Sequence, residues 1–394
     1  LSRVAPSPTL RITAEADRLR RQGVDVVDLG AGEPDFPTPA HVKAAAHAAI
    51  EADFTKYTPS AGIAELREAI CARYRADYGV DYRPEEVIVS AGAKQALYNA
   101  AVALFDEGDE VITHAPCWPT IPEQIKLAGA TPVIVRTHAE DGFAIEAGPI
   151  LEAITPRTRG IVVNSPCNPT GALVSEEAMA AIADEAARRG LWVIADLTYE
   201  KLIYDEDARH NLVRVLAERV RDRAVICSAA SKAYAMTGWR CGWALAPAHV
   251  VSAFNALQGH STSNVASITQ KAAVAALTGP QESVTQMLAE YRRRRDRVWE
   301  LLTGDERFTC VKPRGAFYLF PNVIGVLEVT GLDTSAALAE ALLAEARVAV
   351  TAGEGFDAPG FIRLSYATSM ERLEEGIGRI HAFVRSRDRG RVAV

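Results

Sequence analysis

No apolar run of about eighteen residues occurs in this chain, so no membrane-spanning helix is expected. Cysteine is scarce and scattered, at positions 71, 117, 167, 227, 241 and 310. None of the six forms a CxxC pair, and no HExxH occurs among the eight histidines. A zinc site and a disulfide framework are therefore both disfavoured. Isolated thiols suit a reducing, cytoplasmic setting, and the opening LSRVAPSPTL does not read as a signal peptide. Excess positive charge is missing as well. The 43 Lys and Arg are outnumbered by 50 Asp and Glu, which argues against a nucleic-acid surface. The one basic run, YRRRR at 291–295, lies in a helical pattern ending VWELL and reads as a solvated helix face.

What is present is a rhythm of short β-branched runs with helical patterns between them. Strands are expected at 87–90 (VIVS), 111–114 (VITH), 132–136 (PVIVR), 160–164 (GIVVN), 191–196 (LWVIAD), 224–228 (AVICS) and 242–246 (GWALA). The runs are continuously apolar rather than alternating, as in strands buried on both faces of a largely parallel sheet. Ser175, with Glu177 and Ala178 following, resembles the N-cap of a helix reaching Arg189. The alternation predicts a doubly wound α/β domain around a seven-stranded, mostly parallel sheet. Past about residue 280 the texture changes. A long helix (281–303), the segment GAFYLFPNV (315–323), a helix near 335–347 and a strand in FIRLSYA (361–367) predict a smaller α+β domain. The expected division is an arm at 1–40 that belongs in part to the small domain, a large domain at 41–285 and the small domain at 286–394.

In open α/β sheets ligands collect beyond the carboxyl ends of the strands, and the unusual residues fall there. AGAKQAL (91–97) follows the first strand, NSPCNPTG (164–171) the fourth, Asp196 ends the fifth with Tyr199 three residues on, and Ser228 to Lys232 follow the sixth. Gly92 and Ala93 at a helix start offer backbone N–H groups to a phosphate. Arg240 adds a fork of donors for the same group, and Ser231 a hydroxyl. Asp196, at the end of an apolar strand, needs a cationic partner if it is to stay ionised. Asn168 and Tyr199 are neutral donors, and Trp118 is a flat surface for stacking. Lys232, in the pale stretch SAASKAYAMTGWRCGW (228–243), is an amine that apolar walls and nearby cations make nucleophilic. A ligand that answers this set carries a phosphate, an aromatic nitrogen that wants a proton, a phenolate oxygen and an aldehyde. Pyridoxal 5'-phosphate has all four.

The ordered motifs AGEPDF (31–36), KYTPSAG (56–62), NSPCNPTG, D-x-x-Y at 196–199, SK-x7-R at 231–240 and RLSYA (363–367) resemble those of the fold-type I pyridoxal-phosphate aminotransferases, in particular the bacterial aspartate branch. The resemblance runs from about Pro6 to about Phe383. It implies that Lys232 holds the coenzyme and moves the substrate proton, that Asp196 keeps the ring nitrogen protonated, and that Asn168 and Tyr199 bond its phenolate oxygen. Trp118 is implied to stack on the ring, and Gly92, Ala93, Lys94, Ser231 and Arg240 to form the phosphate cup. Tyr57 resembles a tyrosine reaching the phosphate of a neighbouring subunit, which implies a homodimer with shared sites. Arg363 resembles the clamp for the substrate α-carboxylate, with Gly32 contacting the same group through its backbone. Lys94, Ser7 and Thr9 match positions that recognise a distal carboxylate.

Each residue also has an ordinary alternative. Asp196 would serve as a helix N-cap, Asn168 as an Asn-Pro turn residue, Tyr199 and Trp118 as core aromatics, Arg240 as half of an ion pair, and Lys94 as an exposed helix lysine. Leu197, Thr198, Ala229 and Cys117 depart from the family's usual residues; together they leave the substrate open and imply slightly weaker phosphate binding. The implied activity is a two-stage amino transfer from an L-amino acid, aspartate or glutamate first, to a 2-oxo acid. Alanine, aromatic amino acids, kynurenine and a β-lyase reaction on the same scaffold remain rivals. So does a ligand-sensing module, although no DNA-binding extension is present.

Overall fold

The computed structural model describes residues 8–205 and 210–388, without side chains before residue 14. Seven strands form the central sheet: β1 (Val87–Ser90), β2 (Glu110–Ala115), β3 (Thr131–Arg136), β4 (Thr158–Asn164), β5 (Trp192–Asp196), β6 (Ala224–Ala229) and β7 (Gly242–Leu245). Their spatial order is β1-β7-β6-β5-β4-β2-β3. Every pairing is parallel except the two made by β7, which runs against both β1 and β6. This is the α/β arrangement that the continuous apolar runs imply. β1, β2, β6 and β7 are buried along their whole length. β3, by contrast, is one of the two edge strands and is only part-buried. It also carries Pro132, a residue that removes a ladder donor and is tolerated at sheet edges.

The helices begin and end where local chemistry directs. Ser175 Oγ accepts the Ala178 N–H at 3.0 Å to cap the helix Glu176–Arg189, and Gly190 closes it in the left-handed region at φ 69°. Glu176 and Glu177 open that helix and Arg188 and Arg189 end it, matching the macrodipole. Its Met179, Ile182, Ala183 and Ala186 face the sheet.

A second apolar core gathers outside the large sheet. It joins Val27 and Leu29 near the start of the chain to Met287, Tyr291 and Val298 of the helix Glu282–Thr303, to Phe317 and Leu319, and to Leu373, Ile377 and Ile380 of the helix Met370–Asp388. Val27–Asp28 pairs in parallel with Val348–Ala349. Thr351–Ala352, Ile362–Ser365 and Tyr318–Leu319 make a small antiparallel sheet. Tyr199 and Tyr204, which follow β5, also belong to this second core and so tie it to the large sheet.

The helix Glu282–Thr303 corrects one expectation. Its inward face carries Met287, Tyr291, Arg294, Arg295, Val298 and Leu302, so the basic run is not a solvated face. Arg294 is 6 % exposed and pairs with Asp35 at 2.7 Å and Glu290 at 2.9 Å. Arg295 donates to the Pro313 carbonyl at 3.1 Å and lies over the Tyr204 ring. Of the two remaining arginines, Arg293 pairs with Glu290 one turn back, and Arg292 donates to the Tyr204 carbonyl. Positions 287, 291, 294, 295, 298 and 302 share one helical face, and two arginines fall on it because acids and carbonyls meet them there.

Candidate active site

The carboxyl ends of β1, β4, β5 and β6 lie on one edge of the sheet. Because β7 runs the other way, its first residues return to that edge: Gly242 pairs with both Ser90 and Ala229. Arg240, two residues earlier, is thereby delivered beside the start of the helix Ala93–Leu104. A cavity of about 360 Å³ opens at this edge, a size suited to a small organic ligand. Lys232, Asp196, Asn168, Tyr199, Trp118, Ala93, Lys94, Ser231, Arg240, Gly32 and Arg363 all line it.

The phosphate side is built by close backbone approach. Gly92 is the N-cap of the helix Ala93–Leu104, with φ +82° and no side-chain cap, so the first N–H groups of the helix are left for a ligand. A Cβ on Gly92 would lie 2.6 Å from Arg240 Nη2. A Cβ on Gly242 would lie 2.5 Å from the Ala93 nitrogen. Both glycines let Arg240 and the helix start close on one point. The Arg240 guanidinium is oriented by the Thr237 carbonyl at 2.9 Å and the Ala91 carbonyl at 3.2 Å. Ser231 is buried in the same wall. Lys94 is exposed at the mouth, its amine 4.9 Å from the centre of the Trp118 ring. Desolvation and then the charge of Arg240 lower its pKa.

Asp196 is 2 % exposed. Its Oδ1 accepts from Thr198 Oγ1 at 2.6 Å and from the Thr198 N–H at 3.1 Å. Burial pushes its pKa up, against these two bonds and the more distant charge of Lys232. The cationic partner that the sequence calls for is not a side chain: among the described residues none forms an ion pair with Asp196. Asn164 braces this wall, donating from Nδ2 to the Asp196 carbonyl at 3.2 Å and accepting the Asn168 N–H on Oδ1 at 2.9 Å. Behind it His114 accepts the Asn164 N–H at 3.3 Å, and burial lowers this imidazole to about 4, so it is a neutral acceptor.

Lys232 follows β6 in the short helix Ala230–Ala233. Its amine donates to the Gly32 carbonyl and sits 5.8 Å from the Tyr199 ring centre and 5.7 Å from that of Phe317. Burial brings its pKa down to about 8; Arg363 and Arg240 act in the same direction, while Glu33 and Asp196 oppose them. Tyr199 shares a 2.7 Å hydrogen bond with Tyr318, and burial first, then Tyr318, hold its hydroxyl protonated.

Arg363 is 3 % exposed. It donates to Asn168 Oδ1 at 3.0 Å and to the Gly30 carbonyl at 2.7 Å, with its guanidinium carbon 4.4 Å from the Tyr318 ring centre. Its Nε is buried and has no hydrogen-bond partner among the described residues. The Asn168 contact leaves the two N–H donors of that amide for a ligand acceptor. The 30–32 turn that faces Arg363 is set by Asp28, whose Oδ1 accepts the N–H groups of Gly30 and Ala31 at 2.8 and 3.2 Å.

Three expected residues stand apart. Tyr57 is 92 % exposed and does not line the cavity of its own chain. Ser7 lies outside the described residues, as does the side chain of Thr9. Conversely, Thr198, Asn164, Tyr318, Glu33 and Thr237 are site residues that the motifs did not single out. A Thr two positions after an Asp is a local capping pattern, so Thr198 had a signal; Tyr318 and Thr237 had none.

The set fits pyridoxal phosphate. It has an anion cradle that excludes any Cβ, a buried carboxylate with no cationic side chain, a partly desolvated amine and a flat aromatic wall.

The sequence profile of the aminotransferase class I and II family matches residues 24–380, and the chain belongs to that family. It is a transaminase, an enzyme that passes an amino group between an amino acid and a 2-oxo acid. It is 45 % identical to the aspartate aminotransferase of Geobacillus stearothermophilus over 98 % of each chain. To a probable aspartate/prephenate aminotransferase of Aquifex aeolicus it is 45 % identical over 96 % of each. The aspartate aminotransferase of Thermus thermophilus solved with maleate superposes with a TM-score of 0.91 at 41 % identity, covering 97 % of this chain and 98 % of that one. Class I and II aspartate aminotransferases are pyridoxal-phosphate enzymes. Among the described residues no helix is long and apolar enough to cross a membrane.

Proposed function

We propose that the chain is a cytoplasmic, homodimeric, pyridoxal-phosphate-dependent aminotransferase that takes the amino group of aspartate and delivers it to 2-oxoglutarate in two half-reactions. The observation that carries this reading is that Lys232, Asp196, Arg363, Ala93 and Arg240 share one cavity. When bound, the coenzyme supplies an aldehyde for the amine and an electron-poor ring that spreads the charge left at the substrate Cα. Arg240, Ser231 and the backbone at Ala93 and Lys94 hold the phosphate. Asp196 keeps the ring nitrogen protonated, since a buried carboxylate gains most from a proton shared with a base. Trp118 covers one ring face and excludes water, while Asn168 and Tyr199 donate to the phenolate oxygen.

Arg363 grips the substrate α-carboxylate through its planar fork, supported by the Gly32 backbone. Lys232 takes the Cα proton and returns it to the carbon beyond the substrate nitrogen; a value of about 8 suits a group that must accept and release at neutral pH. Lys94, with Ser7 and Thr9, meets the distal carboxylate. Tyr57, exposed on its own chain, reaches the phosphate of the partner subunit. A second acceptor is favoured by the name of a relative 43 % identical to this chain, the aspartate/prephenate aminotransferase of Cereibacter sphaeroides. Prephenate would then share the dicarboxylate pocket.

Borohydride reduction of the coloured protein, followed by peptide mapping and a panel of donors against 2-oxoglutarate and prephenate, tests the reading. Coenzyme fixed on Lys232 and aspartate as best donor are expected. Coenzyme on another lysine, or pyruvate and ammonia formed with no acceptor present, would contradict it.

A further inference from the structure

Glu33 stands at the mouth of the cavity, one residue beyond the carbonyl that receives the Lys232 amine. Its Oε2 accepts from Thr237 Oγ1 at 2.9 Å. Thr237 lies five residues past Lys232 on the same loop, and its own carbonyl is held by Arg240 at 2.9 Å. The carboxylate is thus tied to the lysine's loop on one side and to the Gly30–Gly32 turn on the other.

Charges face Lys232 from every wall. Arg363, from the strand Ile362–Ser365, and Arg240, before β7, repel an ammonium; Lys94, from the helix Ala93–Leu104, adds a third cation at the mouth. Tyr199 and Tyr318 are kept neutral by burial. Of the two anions, Asp196 is engaged by both donors of Thr198. Glu33 is the other, and its attraction to Lys232 is the largest one favouring the charged amine.

We propose that Glu33 is a positioning residue for Lys232: its carboxylate, pinned by the Thr237 hydroxyl, steers the free amine onto the Gly32 carbonyl and keeps a proton available there. This rests on the reading of Lys232 as the coenzyme lysine. An amine that alternates between base and acid must hold its proton, against the repulsion of the surrounding guanidiniums, until that proton is returned to the substrate. A carboxylate at the rim answers that need without entering the cavity floor.

Two substitutions separate charge from tethering. Glu33→Gln keeps an oxygen that accepts from Thr237 and removes the charge; Thr237→Val keeps the charge and removes the pin. The full-length chain, freed of coenzyme, is methylated with formaldehyde and cyanoborohydride across a pH series, and the Lys232 peptide is quantified by mass spectrometry with the surface Lys312 as internal reference. Since only the neutral amine reacts, the midpoint reports proton affinity at that one side chain. Glu33→Gln is expected to move the Lys232 midpoint down by about one pH unit, the low end of what losing a nearby opposite charge does, and to leave Lys312 unmoved. Glu33→Asp restores most of the shift, and Thr237→Val gives a smaller one in the same direction. A Lys232 midpoint that stays put or rises in Glu33→Gln overturns the proposal. Should that variant fail to fold, an unshifted midpoint in Thr237→Val does the same. These midpoints are read without coenzyme, so their failure is distinct from borohydride labelling of another lysine, which would defeat the coenzyme assignment instead.

Discussion

Replacing Thr198 with Val removes one hydroxyl and leaves the side-chain shape nearly unchanged. The bond lost is the 2.6 Å contact from Thr198 Oγ1 to Asp196; the 3.1 Å bond from the Thr198 backbone remains. A hydrogen bond to a charged group contributes about 1.5–3 kcal/mol. Losing it drives the Asp196 carboxyl, already raised by burial, further up, because the bond favours the ionised form. A carboxyl whose folded pKa lies above its unfolded value binds protons more tightly when folded, so its ionisation costs the folded state as pH rises through that value.

The deficit of Thr198→Val is therefore full above the variant's own folded pKa and vanishes once both proteins are protonated at Asp196. Urea denaturation of the coenzyme-free chains at a series of pH values reads it directly. The variant is expected to be less stable by about 1.5–3 kcal/mol near neutrality, with the two curves converging toward acid. A difference that is constant in pH, or that widens in acid, would refute the view that the hydroxyl acts by holding a buried carboxylate ionised.

Lys94→Ala is expected to lower kcat/KM for aspartate by about 10- to 100-fold, the value of one charge-assisted contact, and to leave alanine turnover unchanged; equal losses on both donors would remove Lys94 from substrate recognition. Gly92→Ala forces a Cβ to 2.6 Å from Arg240 Nη2 in a backbone region that costs a side chain about 1–3 kcal/mol. Coenzyme affinity, measured by absorbance titration, should fall about tenfold or more, and unaltered affinity would separate this turn from the phosphate cradle.

Much of the molecule was legible in the chain itself. Continuous apolar runs specify strands buried on both faces, and all seven appear within a residue or two of their expected ends. Ser175 and Gly190 announce a helix start and stop through local hydrogen bonding and backbone freedom alone. The chemical identities of Lys232, Asp196, Asn168, Arg240 and Arg363 are also local facts. An amine, a carboxylate, an amide and two guanidiniums after apolar strands narrow the ligand before any fold is known.

Tertiary structure decided the rest, because it concerns residues far apart in sequence. The reversal of β7 alone brings Arg240 to the start of the helix at Ala93. Packing alone determines that Arg294 and Arg295 turn inward toward Asp35 and the Pro313 carbonyl rather than to water. Tyr318 reaches Tyr199 across 119 positions, and Thr237 meets Glu33 across 204. No periodicity or motif encodes such meetings, since the energy of a contact depends on where the whole chain has put its partner. Residue types dictated what chemistry was available; the closing of one core against the other dictated which groups share a cavity and how strongly each holds its proton.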